Sequence, residues 1–172
     1  MPTPIIILSG PVGAGKTTVA CELVSRLTDD VVLIDGDIFW SFYATGAARG
    51  PTPKRFRTIM SAMTAAAIPF ATGGSHVVLD FSIPPWFLDT VKKIAGMRDL
   101  PVDYVVLRPS EQICAERAKA RPEGSIADYS RYGEFYRDFD QVARHIVCDD
   151  AMSAAETAAV IARGVSDGRF RL

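Results

Sequence analysis

Histidine occurs only twice in this 172-residue chain and cysteine three times, at Cys21, Cys114 and Cys148, with no CxxC pair and no histidine cluster. Such spacing offers neither a zinc site nor a disulfide framework. Small buried thiols in a reducing interior are the expectation for all three. No charge of one sign dominates either: 19 basic against 20 acidic residues leave a net charge of −1. A global positive field that could hold a long nucleic-acid backbone is therefore missing. No apolar run approaches the roughly 20 residues of a membrane helix, and residues 1–9 lack the basic start and cleavage site of a secretory leader. A cytoplasmic protein without membrane or polynucleotide partners is expected. Internal repeats, low-complexity tracts and linkers are also missing; Gly73-Gly74-Ser75 reads only as a turn.

What is present suffices for a core. The chain is 48% apolar and 23% charged, an ordinary globular balance. A domain of this length buries roughly 70% of the surface its unfolded form exposes. One domain over residues 1–172 is expected.

The aliphatic run at residues 5–8 suits a strand buried on both faces of a parallel sheet. A glycine-rich turn follows, and from Lys16 the apolar positions Val19, Ala20, Leu23, Val24 and Leu27 recur at helical spacing. The alternation repeats. Buried strands are predicted at 31–34, 77–79, 104–107 and 146–148, and helices at 53–71, 84–95, 110–120, 127–139 and 154–163. Pro53 fits a first helical turn, and Ser110 and Ser153 fit helix caps. Strands alternating with helices imply right-handed βαβ units and an α/β sheet covered on both faces.

Gly10-Pro-Val-Gly13-Ala14-Gly15-Lys16-Thr17 fits the spacing GxxxxGK[ST], directly after a predicted strand and directly before a predicted helix. Glycines let the backbone turn so that successive N–H groups point at an anion, and the helix beginning near Lys16 and Thr18 adds its positive dipole end. Lys16 suits the β- and γ-phosphates of a nucleotide, and the Thr17 hydroxyl suits Mg²⁺.

Ligands of α/β sheets gather beyond the carboxyl ends of the strands. Asp35-Gly36-Asp37 follows the second predicted strand and Asp80 ends the third. Phosphoryl transfer needs a held metal and a group that orients or deprotonates the attacking oxygen. Asp35 and Asp37 can divide those tasks, and Asp80 stands where a magnesium carboxylate would lie. The bland alternatives are turn chemistry at Asp-Gly and a cap at Asp80.

Arg117 and Arg121 lie four apart, hence on one helical face, and Pro122 ends that helix. With the turn-rich stretch beyond, they suit a mobile cover over residues 115–140 whose guanidinium groups stabilise phosphoryl charge; a solvated helix face is the alternative. Arg131 and Arg137 are further candidates. Arg49, Lys54, Arg55 and Arg57, with Phe39, Trp40, Phe42 and Tyr43, form either an acceptor pocket beside Asp37 or plain core. His76 and His145 read as structural or surface residues.

On these residues, together with Leu107-Arg108-Pro109 and the stretch from Arg121 to Gly124, the chain resembles the small P-loop kinases related to shikimate kinase, gluconate kinase, adenylylsulfate kinase and chloramphenicol phosphotransferase. It resembles most the uncharacterised ATPase-like members with Arg-Pro-Glu-Gly in the lid. The resemblance implies a five-stranded parallel sheet in the order 2-3-1-4-5, a lid, ATP and Mg²⁺ as cofactors, and transfer of the γ-phosphate to a small-molecule hydroxyl. It further implies that Lys16 and Thr17 hold phosphate and metal, that Asp35 assists the metal, that Asp37 contacts the acceptor hydroxyl, and that Arg117 and Arg121 are lid arginines. The complete shikimate-binding glycine pattern and gluconate kinase's Gly-His-Phe are missing, so the acceptor does not carry over from any of these. Two other classes share the loop: a nucleotide hydrolase acting with a protein partner, and a nucleotide or polynucleotide kinase.

Overall fold

The computed structural model describes residues 3–27, 30–45, 51–122, 124–147 and 150–172. Arg49 and Cys148, both named above, lie outside them. Strands β1 (Ile5–Ser9), β2 (Val31–Asp35), β3 (His76–Asp80), β4 (Val102–Leu107) and β5 (Ile146–Val147) form one parallel sheet in the order β2-β3-β1-β4-β5, as expected. The aliphatic alternation of the central strands serves two cores. Ile5, Ile7, Val77, Leu79, Tyr104 and Val106 face one layer, and Ile6, Leu8, Val78, Val105 and Leu107 face the other. That is why these strands read as continuous apolar runs. The expectation of five buried strands fails at β2, which forms one edge of the sheet, is half-buried and leaves Leu33 38% exposed.

Helices α1 (Lys16–Val24), α2 (Pro53–Thr72), α3 (Leu88–Gly96), α4 (Glu111–Lys119), α5 (Gly133–Asp138) and α6 (Ala154–Ser166) complete the layers. Their starts are chemically marked. Thr52 accepts the N–H of Arg55 ahead of Pro53, Ser110 accepts that of Ile113, and Ser153 with Glu156 forms a reciprocal capping box. The helix predicted at 84–95 instead opens with a 3₁₀ turn, Pro85–Phe87, before α3.

The helix predicted at 127–139 is corrected more heavily. Its N-terminal part is non-helical, followed by a 3₁₀ turn at Ser130–Tyr132, the short α5, and a second 3₁₀ segment, Phe139–His145. The Asp128 carboxylate accepts the N–H of Ser130, a local turn that competes with helix. Tyr129, meanwhile, is drawn down onto the glycine-rich loop.

Along β4 lies the C-terminal segment, which the sequence pattern did not reveal. Asp103 is wholly buried and paired with Arg171 at 3.1 Å, while Tyr104 N–H donates to the Phe170 carbonyl and Leu172 N–H to that of Val102. Two other expectations resolve here. His145 is buried with Nδ1 2.8 Å from the Tyr104 carbonyl and is structural. Cys114 is buried as expected, but Cys21 is exposed on α1. Among the described residues, no helix is long and apolar enough to cross a membrane.

Candidate active site

β1 ends at the centre of the sheet, and residues 10–15 turn from it into α1. Gly13 shows why this loop needs glycine. Its φ is +83°, and a Cβ there would lie 2.1 Å from the Cys114 carbonyl oxygen of α4, a contact that backbone cannot relieve. Gly10 and Gly15 also have positive φ. The loop is held from outside as well: the Tyr129 hydroxyl donates to the Val12 carbonyl at 2.6 Å and Arg117 Nη1 to that of Ala14 at 3.3 Å.

Lys16 folds back over its own loop, donating from Nζ to the Pro11 and Gly10 carbonyls at 3.0 and 3.3 Å. Burial lowers its pKa below that of an ordinary lysine, against the pull of the Asp80 and Asp37 carboxylates. Beside it the Thr17 hydroxyl donates to Asp80 Oδ2 at 2.6 Å. Asp80 is 5% exposed, and burial raises its pKa although Thr17 and Lys16 act to lower it.

Asp35 and Asp80 are register partners at the ends of β2 and β3. Asp35 Oδ1 accepts the N–H of Asp37 at 2.9 Å and caps the 3₁₀ segment Gly36–Phe42. Gly36 is there for close approach: a Cβ would meet Met63 Cε at 2.1 Å and Phe81 Cδ2 at 2.5 Å. Asp37 opens onto the cleft. Loss of water and then the neighbouring Asp35 charge raise its pKa, while Lys16 and Arg121 act to lower it.

Lys16, Thr17, Asp80 and Asp37 share a cleft of about 1390 Å³, lined at one end by Val12, Gly13, Gly15 to Thr18, Asp80, Asp37, Arg117 and Arg121; Asp35 stands behind Asp37, outside that lining. Thr18 is exposed beside Thr17 at the start of α1, whereas Ala14 is fully buried and contributes its backbone. The metal-directed donors at this corner are the Thr17 hydroxyl and the Asp80 carboxylate, with Asp35 paired to Asp80 on the neighbouring strand. No group of three or more His, Cys, Asp or Glu that could hold a metal ion occurs among the described residues. One hydroxyl and one carboxylate suit a cation that keeps water and phosphate oxygens as its other ligands, as Mg²⁺ does. The glycine cradle, closed to any Cβ at residue 13, suits a phosphate chain.

The remaining candidates divide. Trp40, Arg57 and Arg131 line the cleft, whereas Phe42 is 68% exposed. Arg55 stacks on Tyr43 at 4.4 Å, and Arg137 is exposed outside the cleft lining. Arg108 is paired with Asp140 and lies 4.2 Å from the Tyr136 ring centroid. Sequence reading missed Phe56, Phe81, Trp86 and Phe135 in the cleft wall and Tyr129 on the loop. Phe81 directly follows the strand end at Asp80, a position that points to a ligand site, and Trp86 stands in the 3₁₀ turn just beyond it.

Sheet order, glycine cradle and strand-end carboxylate together define a P-loop NTPase fold. Residues 5–134 match the family AAA_33, described as an AAA domain, and the chain belongs to that family. Solved structures similar to it include the tunicamycin resistance protein of Deinococcus radiodurans, with a TM-score of 0.72 at 17% identity over 95% of each chain. Another is the APS kinase of Mycobacterium tuberculosis in complex with AMPPNP and APS, with a TM-score of 0.72 at 18% identity over 96% of this chain and 99% of that one. A sugar kinase from Janibacter sp. gives a TM-score of 0.67 at 16% identity over 96% of this chain and 95% of that one. At these identities the likeness is one of fold.

Proposed function

We propose that the protein is an ATP- and Mg²⁺-dependent kinase that transfers the γ-phosphate to a hydroxyl of a small molecule. One observation carries the reading: Asp37 opens into the same cleft as the phosphate loop, near enough to Lys16 for each charge to shift the other's ionisation. A group that takes a proton thus stands beside a group that grips phosphate.

In this mechanism the loop amides and the start of α1 bind the phosphates. Lys16 exchanges its bonds to the Gly10 and Pro11 carbonyls for phosphate oxygens. Thr17, Asp80 and, from the outer side, Asp35 would hold Mg²⁺, which when bound neutralises charge between the β- and γ-phosphates. Asp37 orients the acceptor hydroxyl and accepts its proton. The acceptor oxygen bonds to the γ-phosphorus as the bond to the bridging oxygen breaks, and ADP leaves. Arg117 and Arg121, on the lid over residues 115–140, lie alongside the charge as it moves.

A screen of hydroxyl compounds with radiolabelled ATP tests this. Lys16→Ala should abolish ATP binding or turnover, whereas Asp37→Asn should keep ATP binding and lose transfer. Transfer at the wild-type rate by the Asp37 variant rejects its assigned role. ADP release unaffected by any acceptor and stimulated by a protein partner rejects the kinase reading.

A further inference from the structure

The far half of the cleft has a different chemistry from the phosphate end. Phe56 of α2 is its hub, with ring centroids 5.7 Å from Phe81, 6.4 Å from Trp86 and 6.3 Å from Phe135. Four rings from α2, the end of β3, the 3₁₀ turn before α3, and α5 therefore form one wall. Rings that only fill a core are covered. Here Trp86 is 47% exposed and Phe56 and Phe135 are half-buried, although covering such surface is favourable.

The wall is also fixed in place. The Trp86 indole N–H donates to Asp138 Oδ2 at 3.3 Å, and the Arg57 guanidinium stacks 4.4 Å from the indole centroid. Among the described residues no carboxylate pairs with Arg57, and its guanidinium carries five N–H donors at the wall's border. Asp80 and Phe81 are consecutive, which joins the phosphate end to the aromatic end across one peptide bond.

Resting on the kinase reading above, we infer that the acceptor is a hydroxyl compound with a flat aromatic body. That body lies on the Phe56, Trp86 and Phe135 wall, with its hydroxyl at Asp37 and a hydrogen-bond-accepting substituent toward Arg57. Stacking against such rings favours flat aromatic groups. A polyol or sugar acid would leave most of its hydroxyls facing rings that offer no partner.

The test compares binding of a naphthalene methyl ester bearing an ethanediol side chain with that of glycerol and methyl glucoside, by calorimetry and saturation-transfer NMR on the full chain. The naphthyl probe should bind on the order of thirtyfold more tightly than either, with saturation strongest at its ring protons. Trp86→Ala should weaken it about tenfold and Trp86→Phe by about threefold at most, with folding checked by circular dichroism. Equal or tighter binding of glycerol or the glucoside overturns the inference, as does a folded Trp86→Ala that binds the probe unchanged. If that variant does not fold, wild-type ring protons receiving no saturation overturn it equally. Ring-dependent binding with no phosphate transferred from ATP to any diol would retain the aromatic site and sink the kinase reading. Transfer to a ring-free polyol alone would do the reverse.

Discussion

The Asp35 carboxylate accepts the backbone N–H of Asp37 at 2.9 Å, and this bond sets where the second carboxylate stands. Asp35→Ala should cost about 1 kcal/mol of stability through the lost cap. It should also lower kcat by about a hundredfold through misplacement of Asp37, while KM for ATP moves by less than about threefold. Chemical denaturation and steady-state kinetics check the pair. An unchanged kcat would remove Asp35 from any positioning role.

The pH dependence follows from the same two acids. Burial and Asp35 raise the Asp37 pKa above its ordinary 3.8, and a proton acceptor works only when ionised. The rate should therefore rise with pH along an acid limb centred above the usual aspartate range. Asp35→Asn removes one of the raising charges, so the limb of kcat/KM should move to lower pH. A limb unmoved or shifted upward contradicts the coupling.

At Asp80, function and stability pull apart. Its pKa is raised on folding, so between the unfolded and folded values the native state binds more protons, and stability falls as pH rises through that window. Above it the full cost is present. Asp80→Asn should then stabilise the ligand-free protein by roughly 0.5–2 kcal/mol at neutral pH, with the gain vanishing below about pH 4, near the unfolded pKa. The same variant should lose Mg²⁺-dependent turnover. Thermal melts across pH and a magnesium titration test the two halves separately.

Two glycines give a matched comparison. Gly13 and Gly74 both have positive φ, but only Gly13 is enclosed; nothing lies within 4 Å of a Cβ built at Gly74. Gly74→Ala should cost about 1 kcal/mol in backbone strain. Gly13→Ala should exceed that by about 1–3 kcal/mol through its clash with the Cys114 carbonyl and should abolish ATP binding. Melting curves and a fluorescent ATP analogue distinguish them.

What the sequence made legible was local. The strand, glycine loop and helix at residues 5–24, the acids at strand ends and the Ser153 cap each announce themselves within a few residues, because the chemistry that shapes them is carried by neighbours in the chain. The strand order came through the resemblance. Gly36 read as a bend, yet its reason is the approach of Met63 and Phe81, which only the packed fold brings there. The aromatic wall escaped for the same cause. Phe39 to Tyr43 drew attention by sitting next to Asp37 in sequence, but of those four only Trp40 lines the cleft. The other rings arrive from four separate segments. The helix drawn over 127–139 ignored the Asp128 turn, and the pairing of Arg171 with Asp103 had no local signal at all.

Tyr129 and Arg117 grasp the carbonyls of Val12 and Ala14, so the glycine turn is tied once to α4 and once to the segment beyond it. A compound that wedged itself under the tyrosine ring would slacken the anion grip from behind. Such an inhibitor would not share atoms with the nucleotide, yet it and ATP would weaken one another by the same factor, because coupling between two sites is reciprocal.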